Sequence, residues 1–151
     1  MYKKTRLYNV IFPVWMLTLF PQMWLIAIPG NFLIDSIVLI ILMFVLKIEC
    51  KKSFYIKNVL KVFALGFAAD MISALTLFLI TMYTPVSNYV VMADEWFLTI
   101  PALLFASLLI FVFNYFISFK NLEKSIRLKI ALTFAIATAP YTFLIPSSLL
   151  Y

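Results

Sequence analysis

Histidine is absent from this 151-residue chain, and cysteine occurs once, at Cys50. Without an imidazole there is no histidine general acid–base chemistry, no Ser-His hydrolysis, no histidine-ligated haem and almost no route to a zinc site. A single cysteine excludes an intramolecular disulfide and a multi-cysteine metal centre. Cys50 stands beside Lys51 and Lys52, where a palmitoylated or reactive thiol can be imagined, but an incidental cysteine at a membrane face is the simpler reading. Glycine is nearly as scarce: Gly30 and Gly66 are the only two, too few for a glycine-rich phosphate loop or a repeat array. No cofactor is expected. Charge is also in short supply, at 12% of residues, where a soluble domain carries about 25%.

What fills the space is apolar. Hydrophobic residues make up 66% of the chain, more than a protein of this size can cover in water, so the expected solvent is lipid. A helix needs roughly 20 apolar residues to cross the hydrocarbon core, and five windows approach that length. They run from about 7–28, 30–46, 62–83, 98–119 and 130–146. Pro29-Gly30 reads as the break between the first two, with Asn31 as a helix cap. Thr84-Pro85 ends the third, and Pro146 closes the fifth. The prediction is one all-α transmembrane domain over 1–151, a polytopic five-span bundle in the cell membrane. A four-span variant, with the first segment re-entrant or interfacial because of Pro13 and Pro21, is the alternative.

The basic residues give an orientation. Lys3, Lys4 and Arg6 precede the first window; Lys47, Lys51, Lys52, Lys57 and Lys61 lie between the second and third; Lys120, Lys124, Arg127 and Lys129 lie between the fourth and fifth. The alternate loops carry none. Positive residues are retained on the cytoplasmic side during insertion, so the expected arrangement is N-terminus inside and C-terminus outside. The net charge of +6 is then a topology signal with attraction to anionic lipid as a by-product, and no nucleic-acid partner is needed. Trp24 and Trp96 are expected near the outer interface, and Trp15 against a neighbouring helix. The N-terminal Lys-Lys-Thr-Arg resembles a signal peptide, but the apolar run is too long and lacks a small-residue cleavage site, so it reads as a retained span.

An ionisable side chain inside a span is expensive unless it is paired, hydrated or neutral. Asp70 lies near the middle of the third window. With Gly66, Ala69 and Ser73 it follows i, i+3, i+4, i+7 spacing, a face of small residues that admits a close neighbour. It reads equally as a proton, cation or substrate site and as a structural hydrogen bond. Asp35 is one turn past Asn31, about 7 to 8 Å below the outer boundary if the chain turns at Pro29-Gly30. Gln22 would then face it across the hairpin, where a hydrogen bond would tie the two together. Snorkelling toward water explains Asp35 alone more cheaply, and a structural role is the favoured reading. Asn114 shares a face with Ser107, Phe111 and Ser118, and Ala131, Ala135, Ala139 and Thr142 form a packing stripe on the fifth span; interhelical hydrogen bonds and packing explain both.

Two carboxyls sharing a proton can activate water for peptide hydrolysis. The segment from Gly30 to Asp35, with Ala69-Asp70, is compared on that ground with lipoprotein signal peptidases. The spacing is one residue off, Ser36 stands where an arginine is required, and the asparagine before Ala-Asp is missing. Gly66 to Asp70 likewise departs from the Gly-x-Gly-Asp pattern of presenilin-like proteases, and the two acids are expected at different depths.

Phe-Pro-Val-Trp near the start, Pro-Gly-Asn-Phe-Leu-Ile-Asp-Ser at 29–36, Gly-Phe-Ala-Ala-Asp at 66–70 and Thr-Ala-Pro-Tyr at 138–141 together make the chain similar to a group of small uncharacterised polytopic inner-membrane proteins of low-GC Gram-positive bacteria. The resemblance implies a bacterial inner-membrane setting and carries no activity with it. The leading expectation is a small transport or permeation component, acting as a homo-oligomer or beside a membrane partner subunit, with Asp70 as its polar site. The others are a non-catalytic membrane partner of immunity, holin-like or assembly type, and, third, an intramembrane aspartyl hydrolase. No enzyme motif stands out. The residues that carry these expectations are Asp70, Asp35, Asn31, Gln22 and Asn114.

Overall fold

A computed structural model describes residues 19–49, 51–83 and 96–144, which form helices joined by short turns, with no strand among them. Cys50, Trp15, Asp94, Glu95, the first three basic residues and most of the first expected span lie outside the described residues. The elements are α1 (Pro21–Val45), α2 (Lys51–Tyr83), α3 (Trp96–Phe113) continuing into a π-helical turn (Asn114–Ser118), and α4 (Lys124–Ala137) followed by a 3-10 turn (Tyr141–Leu144). Among the described residues three helices are long and apolar enough to cross a membrane: Pro21–Val45, Lys51–Tyr83 and Leu98–Ser118. Their outward faces are apolar, with Leu25, Ile26, Val45, Leu104 and Phe116 all exposed. This is the surface a lipid solvent accommodates and water does not.

The expected break at Pro29-Gly30 is not there. One helix of 25 residues runs through both positions, and Gly30 keeps a negative φ. A proline inside a helix removes one N–H, but uncoiling the helix in apolar surroundings would strand several backbone groups without partners. Asn31 is therefore an interior residue and not a cap. Gln22 sits on the first turn of the same helix as Asp35, thirteen residues or about 20 Å away, so the expected Gln22–Asp35 hydrogen bond does not exist; Gln22 is exposed. The boundary drawn between windows 7–28 and 30–46 falls inside α1.

The other windows shift less. α2 begins eleven residues ahead of Val62, because the basic segment is itself helical. α3 with its π turn ends one residue short of the expected Phe119. The fifth window, 130–146, is divided: α4 stops at Ala137, and Pro140, which has no N–H to donate, precedes the 3-10 turn. Between α1 and α2 the chain turns through a Schellman arrangement, with Ile48 N donating to Met43 O (3.1 Å) and Lys47 N to Phe44 O (3.3 Å). Lys47 takes the left-handed conformation, φ 50°, that this motif requires and glycine usually supplies.

α2 packs between α1 and α3, α4 packs on α3, and α4 also touches α1. The described turns at 46–49 and 119–123, lysine-rich when counted with the helix starts that follow them (Lys47, Lys51 and Lys52; Lys120 and Lys124), lie at the same end. Phe119 ties them there, its ring stacked 6.1 Å from Phe54 of α2 and 6.1 Å from Phe134 of α4. Around it Leu39, Leu42, Val59, Val62, Ala69, Ile110 and Ile130 form the larger apolar core. A smaller one, Ala74, Leu77 and Phe143, occupies the opposite end. Between the two lies a polar layer.

Candidate functional site

The polar layer is built on the α1–α2 contact. Asn31 and Asp35 are one turn apart on α1, and Gly66 and Asp70 one turn apart on α2, so each pair lines one face of its helix. Gly66 lets the helices close in: a Cβ at that position would stand 3.4 Å from Asp35 Oδ2. Asn31 Nδ2 donates to Asp70 Oδ2 at 3.3 Å across the same interface. The two carboxyl groups are therefore diagonal neighbours across the interface, Asp35 beside Gly66 and Asp70 beside Asn31. Asp35 and Asp70 are both buried.

The depth expected for Asp35 changes with the helix that carries it. It lies fourteen residues from Pro21 and ten from Val45, about 21 Å and 15 Å along the axis. That places it in the middle of α1, opposite Gly66 and one turn along the contact from Asp70, which is opposite Asn31. The acids expected at different depths therefore share one stretch of the α1–α2 contact, a turn apart.

Their surroundings leave them poorly compensated. Asp70 Oδ1 is buried with no hydrogen-bond partner, and so is Ser73 Oγ, one turn further along α2. Among the described residues no lysine or arginine acts on either acid; the cations sit at the end marked by Phe119. Nor do three metal-ligating side chains gather anywhere among the described residues. What the layer offers chemically is two carboxyls, one amide donor and one free hydroxyl, a set suited to holding a proton or a small cation.

No family model, curated protein or solved structure matches the chain. The site must therefore be read from its own geometry.

Asn114 stands apart from this layer. It is fully buried at the start of the π turn, and its Nδ2 donates to Ile110 O of its own helix (3.0 Å), with Oδ1 unpaired. The turn is closed by Phe119 N donating to Asn114 O at 3.0 Å, an i to i+5 bond. Arg127 of α4 braces it from outside: its guanidinium lies 4.2 Å above the Tyr115 ring, Nη2 donates to Tyr115 Oη (3.1 Å) and Nη1 to Lys120 O (3.3 Å). These contacts hold a helix end in shape.

Three buried polar residues were not singled out from sequence. Asn58 is buried and donates through Nδ2 to Phe54 O (2.8 Å), Thr99 is buried on α3, and Ser36 is buried beside Asp35, accepting a hydrogen bond from Tyr55 Oη at 3.1 Å. Asn58 had a readable signal, since Asn58, Val62, Gly66 and Asp70 continue one stripe at four-residue steps.

Proposed function

We propose that the chain is a multi-pass cell-membrane protein in which Asp35, Asp70 and Asn31 form the ion-binding site of a small permeation component, working as a homo-oligomer or with a partner subunit. The observation that carries this reading is two buried acids on one α1–α2 contact in mid-bundle, with no basic residue beside them among the described residues. Each ionised carboxylate in a bilayer interior costs about 3 kcal/mol on insertion scales, and two adjacent ones repel. A shared proton, or a small cation held between them, is the simplest compensation. A side chain kept only for packing has no need of a second acid on the same contact.

In this reading the lysine-rich turns face the cytoplasm, following the distribution of basic residues. With residues 21–45 in one helix, α1, α2, α3 and α4 with its terminal turn supply four passes. The bacterial inner membrane is the setting implied by the resemblance of the sequence.

The test is flux. Purified protein in liposomes should pass protons or a monovalent cation, and Asp70→Asn should reduce that flux at least tenfold while the protein remains helical and monodisperse in detergent. Normal flux in that variant removes Asp70 from the mechanism.

The same convergence favours one second reading, an intramembrane aspartyl hydrolase whose acids activate water between them. Full cleavage activity in both Asp35→Ala and Asp70→Ala would end it.

A further inference from the structure

Resting on the reading of Asp70 as the exchanging group, we infer that the groove between α2 and α3 is a proton entrance connecting Asp70 with the face opposite the lysine-rich turns. The groove holds about 220 Å³ and takes Ser73, Thr76 and Ile80 from α2 and Pro101 and Ala102 from α3. Ser73 is wholly buried at its floor, with Oγ unpartnered. Asp70, Ser73 and Thr76 follow one another at three-residue steps, so on a helix their side chains rise along one side. Thr76 Oγ1 donates to Ile72 O at 2.7 Å and keeps its lone pairs for a further donor. The unpartnered Asp70 Oδ1 lies at the inner end of this series.

The two ends of the series differ. Toward the lysine-rich turns the next layer is Leu39, Val62, Ala69 and Ile110, all essentially without exposure, which closes the bundle. In the other direction Thr76 and Ile80 lead into the groove and toward Tyr83. One water needs only about 10–15 Å³ and two to four polar partners, so the groove has room for several beside its hydroxyls.

The chemistry selects the proton. Two hydroxyls in an apolar wall cannot replace the hydration shell of a metal cation, whereas a proton needs only a chain of donors and acceptors. Because Ser73 Oγ and Asp70 Oδ1 are not bonded to each other, a water between them gives a proton to the carboxylate and takes one from the Ser73 hydroxyl, which takes one in turn from a water in the groove. The charge lost by that water is replenished from the water behind it.

The experiment uses full-length protein carrying Cys50→Ser, reconstituted in vesicles. Thr76→Cys should react with a membrane-impermeant thiol reagent added at the face opposite the lysine-rich turns and be protected from the lysine-rich face. Reaction requires a thiolate in water, so Leu75→Cys, on the exposed apolar side of α2, should stay unlabelled in lipid. Ala102→Phe, which fills the groove without touching the acids, should lower proton flux at least tenfold. Failure to label Thr76→Cys from the expected face, or labelling from the lysine-rich face alone, overturns the entrance even if Asp70→Asn abolishes flux. Labelling of Thr76→Cys with normal flux in Asp70→Asn overturns the functional reading, and the proton route with it.

Discussion

The π turn and the α1–α2 contact both bury polar groups, and they solve the problem differently. At the π turn, Asn114 is neutral and returns its amide to Ile110 O of its own helix, and the turn it opens is held by rings and by Arg127. At the α1–α2 contact the polar groups are acids, and they reach across the interface to each other's helix. A neutral amide with one free acceptor costs about 1–3 kcal/mol at most. Two buried carboxyls on one interface cost more. The difference teaches where to look for function: the π turn is explained by structure alone, while the acid layer is not.

The comparison can be broken from either side. Removing the ring that anchors the π-turn end should have the largest effect on stability. Phe119→Ala empties a site stacked on both sides and should cost about 3 kcal/mol, the low end of the range for buried aromatics, because the unfolded chain in lipid keeps its rings out of water. Denaturation in mixed detergent micelles measures this, and the flux per folded molecule should remain near that of the parent.

Next comes the acid layer. Gly66→Leu places a branched side chain against Asp35 and should cost about 1–3 kcal/mol by overpacking, with flux lost in the fraction that stays folded. Gly66→Ala is the control. Its Cβ would meet Asp35 Oδ2 at 3.4 Å, an ordinary contact, so stability and flux should both stay close to the parent. Asn114→Ala should do least. Its amide bonds only within its helix, and polar contacts between membrane helices average about 0.6 kcal/mol, so a change beyond about 1 kcal/mol would show that the π turn has been undervalued.

Much of the architecture was legible because the bilayer permits few backbone solutions. Hydropathy located α2 and α3 to within a few residues at their apolar ends, and the small-residue stripe through Gly66, Ala69, Asp70 and Ser73 is buried as its spacing implied. The lysines marked the shared end of both described turns. What misled was Pro29-Gly30. The pair is a turn signal in water, where freed backbone groups find solvent, and a tolerated defect inside an apolar helix. That single residue pair moved Asp35 in depth, gave Gln22 a partner it does not have, and concealed that the two acids share the α1–α2 contact. The π turn could not be read either, since its one-residue excess depends on how Phe119 seats between Phe54 and Phe134.

The central claim is that Asp35 lies against the Gly66–Asp70 face of α2, and cysteine pairs in the Cys50→Ser chain test it most directly. Oxidation of Asp35→Cys with Gly66→Cys in membranes should give an intrachain disulfide, identified as a linked peptide by mass spectrometry, while Gln22→Cys with Asp35→Cys stays reduced. A disulfide between positions 22 and 35, with none between 35 and 66, would restore the hairpin at Pro29-Gly30 and contradict the account.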